Sequence, residues 1–176
     1  MATSARAVNL NSFRKKVADH KRRMRAFLTR TENKPPRGLD DMVKDIDREV
    51  WAEVDCLTCS NCCRKMTPTF TDGDVKRISK YLVMSPETFR ERWLRLDRNG
   101  DWMNRSQPCQ FLDIKTNMCS IYDVRPRDCA GFPHLTRRKM TDYMKWHRQN
   151  IEYCPATFKM VEKMMERMTI LKKQAQ

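Results

Sequence analysis

Four glycines in 176 residues are too few for a long flexible linker, and no glycine-rich loop able to cradle a phosphate occurs among them. No apolar run approaches the roughly 18 residues of a membrane-spanning helix. The N-terminus lacks the apolar core and small-residue cleavage site of a secretory signal, so a cytoplasmic location is expected, with no membrane partner. The Arg-rich, acid-poor stretch from Met1 to Leu28 also fits an organellar transit peptide, although Arg22-Arg23-Met24-Arg25 reads equally well as a helix surface. No repeat of 20 to 50 residues is visible. No carboxylate pair or Ser/His/Asp set can be singled out, which leaves nucleotide cofactors and hydrolytic triads without support.

Charge and cysteine are what the chain has in excess. Thirty-six Lys and Arg oppose 22 Asp and Glu, a net charge of +14 that favours polyanionic surfaces through long-range attraction. Eleven basic residues between Met1 and Gly38 face only Asp19 and Glu32, so this stretch alone carries +9. An acidic protein or a nucleic acid is the expected partner of such a segment, and a helix with a solvated basic face packed on its own protein is the plainer alternative.

The prolines and the apolar periodicity divide the chain. Val8, Leu10, Phe13, Val17, Met24, Phe27 and Leu28 recur at helical spacing and predict a basic amphipathic helix from Asn11 to Arg30, ended before Pro35-Pro36. Leu39, Met42, Val43, Ile46, Val50 and Val54 form a second stripe that delivers the chain to Cys56. Thr71 with Asp74 resembles a capping box, and Ser85-Pro86 opens a helix whose Phe89 and Trp93 face the core. Asn99-Gly100 marks a turn, and Cys109–Leu112 with Met118–Tyr122 reads as a hairpin around Lys115-Thr116-Asn117. A last helix runs from Pro155 to about Lys172, with Phe158, Val161, Met164, Met165, Met168 and Leu171 on its buried side. The expected fold is mainly α with a short β-hairpin: a small metal-centred domain, residues 39–176, preceded by a basic helical extension, residues 1–38.

The eight cysteines carry the chemistry. Cys56, Cys59, Cys62 and Cys63 form an overlapping CxxCxxCC, and Cys109, Cys119, Cys129 and Cys154 follow at long intervals. Thiolates two residues apart let a tight loop wrap one zinc or iron–sulfur centre, and an even, clustered set in a reducing compartment points to metal rather than disulfides. Consecutive side chains diverge, so Cys62 and Cys63 are suited to different centres. One partition gives Cys56, Cys59, Cys62 and Cys154 one centre and Cys63, Cys109, Cys119 and Cys129 another. Arg125-Pro126 predicts a one-turn helix presenting Cys129, with Arg125 and Arg127 either offsetting thiolate charge or pairing with Asp123 or Asp128. Tyr122 belongs to the core. His134 is a candidate substitute ligand, whereas His147 is expected at the surface and His20 is incidental to the basic helix.

The order of CxxCxxCC, then Cys109-Gln-Phe-Leu, Cys119-Ser-Ile-Tyr and Arg125-Pro-Arg-Asp-Cys129-Ala-Gly-Phe-Pro resembles the YkgJ-type cysteine-cluster family, over about Cys56 to Cys154. The resemblance implies zinc or iron chelation by these cysteines, with iron–sulfur chemistry among the options. The glycine usual after the first cysteine pair is replaced by Ser60-Asn61, where Asn can supply the same positive φ. A related domain occurs in flagellin lysine methylases, so a redox or radical enzyme modifying a protein side chain is one alternative, although those proteins are longer. A nucleic-acid-binding module with a structural metal is the other.

Overall fold

The computed structural model describes residues 7–136 and 139–174, so residues 1–6 of the expected extension, residues 137–138 and the last two residues lie outside the described set. The chain divides into two compact units, one formed by residues 1–59 with 133–176 and the other by residues 60–132.

The first unit is helical: α1 (Leu10–Asn33), α2 (Leu39–Glu53), α3 (Cys56–Cys59), α8 (Met144–Asn150) and α9 (Pro155–Gln174). Asn9 caps α1 by accepting the Ser12 amide at 3.0 Å, and the helix runs one turn beyond the expected Arg30 before the prolines stop it. Its buried face, Phe13, Val17, Met24, Phe27 and Leu28, packs on α8 and α9, with Phe13 edge-on to Phe158 at 5.8 Å. The basic helix is thus an integral wall of its unit. Helix α2 buries Leu39, Val43, Ile46 and Val50. An ion-pair ladder runs antiparallel along α2 and α9: Glu53 meets Lys159 and Lys163, and Glu49 meets Lys163 and Arg167. Phe158, Val161 and Met164 are buried as expected, but Leu171 is not, being 57% exposed beside the similarly exposed Ile170. Packing thins out over the last turn of α9, so the apolar periodicity there outlasts the core.

The second unit holds α4 (Asn61–Lys65), β1 (Thr69–Phe70), α5 (Asp72–Tyr81), α6 (Pro86–Trp93), β2 (Leu94–Leu96), β3 (Trp102–Asn104) and α7 (Arg127–Gly131). The strands form an antiparallel sheet of order β1-β3-β2, pairing Phe70 with Trp102 and Leu96 with Trp102 on either side. Its core is Phe70, Val75, Ile78, Phe89, Leu94, Phe111 and Ile121, with Phe89 stacked on Phe111 at 6.2 Å. Trp93 is partly buried against that cluster. Ser85 caps α6 and Pro86 opens it, since proline at the first helical position forfeits no hydrogen bond. Helix α5 ends in a Schellman turn, the Met84 amide reaching Ser79 O at 3.0 Å and the Val83 amide Lys80 O at 3.2 Å. That turn puts Val83, not glycine, at φ 54°.

The hairpin expected at Cys109–Tyr122 is reduced to one bridge, Leu112 with Cys119. The Leu112 amide turns back onto Cys109 O at 3.0 Å, and the chain turns into a 3-10 helix at Tyr122–Val124, so neither arm extends. The sheet's hairpin is instead β2–β3, where Asp97 accepts the amides of Asn99 and Asp101 and Gly100 sits at φ 82°.

The capping box is present, and it does more than cap. Buried Asp74 accepts the Thr71 amide at 3.0 Å and hydroxyl at 2.7 Å, the Arg77 guanidinium at 2.6 Å and the Arg127 amide at 3.1 Å. One carboxylate thereby ties α5 to the start of α7, which carries Cys129. Burial alone would raise its pKa, but Thr71, Arg77 and the Arg127 amide outweigh burial and hold it below the ordinary carboxylate value. Asp74 therefore contributes stability that is complete above the unfolded-state pKa and is lost as pH falls through the lower folded value. Replacing Asp74 by Ala removes four hydrogen bonds and is expected to cost about 3 kcal/mol in urea unfolding at neutral pH. The variant's deficit should shrink below about pH 4, because the wild type loses the same interactions there.

Candidate metal centre

Five of the eight cysteines, Cys62, Cys63, Cys109, Cys119 and Cys129, belong to the unit of residues 60–132, and Cys56, Cys59 and Cys154 belong to the other. All eight are free thiols. Within residues 60–132, local structure brings remote positions together. Ser60, at φ 46°, turns the chain into α4, which presents Cys62 and Cys63 with their sulfurs 3.9 Å apart. The left-handed residue is Ser60, not Asn61 as the sequence suggested. Asn61 is helical and buried, while the Ser60 hydroxyl donates to Asn117 Oδ1 at 2.8 Å. Asn117 is itself left-handed, so the two strained turns hold one another.

The Cys109 amide donates to Cys63 O at 2.9 Å, which sets the two cysteines side by side. Asn104, at the end of β3 and 1% exposed, donates Nδ2 to Cys109 Sγ at 3.1 Å and accepts Gln110 Nε2 at 2.9 Å. The Leu112–Cys119 bridge brings Cys119 back towards Cys109. Cys129 stands on α7, the expected one-turn helix, and Asp128 beside it accepts the Thr69 amide at 3.0 Å.

The charge of Cys63 is felt at three other sulfurs of the unit. Burial raises the Cys129 thiol far above its ordinary value, and negative charge on Cys63, Cys109, Asp128 and Cys119 raises it further. Burial raises Cys119, with Cys109 and Cys63 adding to it and Arg125 opposing. Burial likewise raises Cys109, opposed by its hydrogen bonds and reinforced by Cys63. Cys63 moves the other way, to about 7, because Cys62 donates a hydrogen bond to it, against burial and with help from its own amide and Arg64. One thiol of the group is ready to ionise, and each further ionisation is resisted by the charge already there.

Two arginines moderate that charge. Arg64, for which no sequence motif gives a signal, is clamped by Asn117 Oδ1 at 2.6 Å and Ile114 O at 3.1 Å while its charge favours the Cys63 thiolate. Arg125 lies 3.8 Å over the Tyr122 ring, donates to Tyr122 O at 2.7 Å and acts on Cys119. Tyr122, half-buried, is thus the platform for Arg125 and not a residue of the core.

In the unit of residues 1–59 and 133–176, Asp55 caps the short α3 by accepting the Leu57 amide at 2.8 Å. Cys154, buried before α9, accepts the Thr157 amide at 3.4 Å. Its thiol is raised, by burial first, and the charge of Cys59 adds to the rise. Cys56 is exposed. His147 is fully buried, which corrects the surface position expected from sequence: Met144, His147 and Ile151 share one buried face of α8 and its end. Burial first, then His134 and Arg148, lower its pKa to about 4, so it is neutral at pH 7. His134, at φ 64°, lies against Tyr143 at 6.2 Å in this same unit.

Thiolate reactivity follows ionisation, so Cys63 should be the first site alkylated by limiting iodoacetamide at pH 7 in chelator-treated protein. Peptide mapping is expected to show its rate rising with an apparent pKa of about 7, with Cys109, Cys119 and Cys129 at least tenfold slower. Uniform labelling of the five would contradict the electrostatic order.

Among the described residues no three Cys, His, Asp or Glu side chains already stand in metal-ligating geometry. The donor set is nonetheless of the right chemistry, soft thiols with two cations close by. No solved structure matches the chain. An uncharacterized protein of Methanocaldococcus jannaschii is 35% identical over 81 residues, 45% of this chain and 43% of its own length, so the chain spans less than half of that relative. The profile of the CxxCxxCC family, described as "Putative zinc- or iron-chelating domain", matches residues 55–156, more than half of the chain and all eight cysteines. The chain belongs to the CxxCxxCC family.

Proposed function

We propose that the protein binds zinc or iron, and that Cys63, Cys109, Cys119 and Cys129 form one thiolate centre inside residues 60–132. The observations that support this most directly are the Cys109 amide bonded to Cys63 O, the Leu112–Cys119 bridge and, beneath the larger effect of burial, the charge of Cys63 raising Cys109, Cys119 and Cys129 alike. Such a group holds its protons or exchanges them for a cation. A divalent ion bound to four thiolates carries a net charge near −2, which Arg64 and Arg125 offset. The Asn104 hydrogen bond to Cys109 Sγ fits a ligand sulfur, because donors around thiolates fix their orientation and soften their charge. Ligation requires the sulfurs to close in from their present spacing.

Cys62, adjacent to Cys63, and the set Cys56, Cys59 and Cys154 are further candidate ligands. The family description covers zinc and iron alike, and an iron–sulfur cluster is the variant that would give the centre a redox use. Four protein sulfurs on a zinc ion close its shell and make it structural, with binding free energy acting as folding free energy.

Protein purified without oxygen should carry zinc or iron at one equivalent or more per chain by mass spectrometry. Cys109→Ala, Cys119→Ala and Cys129→Ala are each expected to lose one equivalent and to unfold residues 60–132 at lower temperature, whereas Cys154→Ala should keep that equivalent. Unchanged metal in all three variants would refute the assignment. Sulfide in the sample with a visible band that bleaches on reduction would assign a cluster, and colourless protein with zinc a structural ion.

A further inference from the structure

The outer face of α1 is occupied by cations that the fold does not use. Lys21 and Arg25 meet Glu152 at 3.5 and 3.4 Å, Arg25 Nε also donates to Arg148 O, and Glu32 is taken by Arg148 at 2.6 Å. Lys15, Arg22, Arg23 and Arg30 are exposed and form no ion pair among the described residues. At about 100° per residue they fall on the half of the helix away from Phe13, Val17, Met24, Phe27 and Leu28. Lys15 leads to Arg22-Arg23 and these to Arg30 in steps of roughly 10 to 12 Å, a basic strip about 22 Å long. Among the described residues Asp19 is the acid of α1 that forms no ion pair, and it lies within the strip and dilutes it.

We infer that this strip is a docking surface for the phosphate backbone of a nucleic acid. Its composition separates that partner from the other polyanions. An interfacial helix inserts an apolar face into a bilayer, and the apolar face of α1 is already buried against α8 and α9. A protein interface depends on a few aromatic or aliphatic anchors, and the exposed residues other than cations on this half of α1 are Ala18, Asp19, Ala26 and Thr29. Phosphate backbones bind through cations alone, by releasing counterions. A rigid strip of this length exceeds the roughly 12 Å width of a major groove, so its two ends can reach both phosphodiester walls. Packing on the inner face keeps the strip straight and its charges in register before any ligand arrives. The inference stands apart from the cysteine centre, which belongs to the other unit.

The test is fluorescence anisotropy of the full, metal-loaded chain with a labelled nucleic-acid duplex of about 20 base pairs, at salt from roughly 50 to 200 mM. Four phosphate contacts predict a log–log slope of about −3 to −4, a loss of affinity of roughly a hundredfold across that range. K15E/R22E/R23E/R30E should abolish binding, while K76E/K80E/R95E/R98E, an equal change of charge on the exposed surface of residues 60–132, should leave it within a few-fold. Equal losses in the two variants would overturn the proposal, as would absence of binding or binding to anionic phospholipid vesicles alone. Should the fourfold reversal fail to fold by circular dichroism, R22Q/R23Q serves in its place, with an expected slope lower by about two.

Discussion

Crowding several thiols in one small unit imposes the constraint from which the rest of the candidate site follows. Burial raises the cost of ionising Cys109, Cys119 and Cys129, and each sulfur already ionised adds to it. The surroundings answer with cations and donors at fixed places. Arg64 stands at Cys63, Arg125 at Cys119, and Asn104 donates to Cys109. Each of these side chains is held by a second contact, to Asn117, Tyr122 and Gln110 respectively. The arrangement is the one that the proposed ligands would require of an oriented outer shell.

The same constraint explains the roles of the small elements in residues 60–132. Strands of two or three residues and helices of one turn cannot be stable alone. They are fixed by the aromatic cluster around Phe89 and by buried polar ties, chiefly Asp74 between α5 and α7 and the Ser60–Asn117–Arg64 clamp on α4. Bound metal would add a third tie at the same loops, so stability and ligation are coupled in that unit. Residues 1–59 and 133–176 are built differently. Long amphipathic helices, an apolar seam and an ion ladder suffice there.

Much of this was legible in the sequence where a rule is local. The stripes of α1 and α2, the Thr71–Asp74 box, the Ser85-Pro86 start and the Asn99-Gly100 turn each depend on neighbours within one or two turns. The cysteines announced themselves by spacing, and the family profile agrees with the resemblance those motifs carried. What escaped depends on contacts remote in sequence. The Cys109 hairpin is a local exception, cut to one bridge because the Leu112 amide closes a turn on Cys109 O and Tyr122 begins a 3-10 helix. Ser60 took the left-handed position because Asn117, 57 residues on, receives its hydroxyl. Arg64 resembled any surface arginine, although Met144, His147 and Ile151 at helical spacing could have revealed His147 as buried. Leu171 shows the reverse error, a continuing pattern with nothing to pack against.

The central claim is that sulfur from one unit surrounds one metal ion. X-ray absorption at the edge of whichever metal copurifies, on chain in which Cys56, Cys59 and Cys154 are replaced by Ser, tests it without reference to activity. The account predicts a first shell of about four sulfurs near 2.3 Å that loses one scatterer in Cys129→Ala. A shell dominated by nitrogen or oxygen, or a metal lost together with the three replaced cysteines, would contradict it.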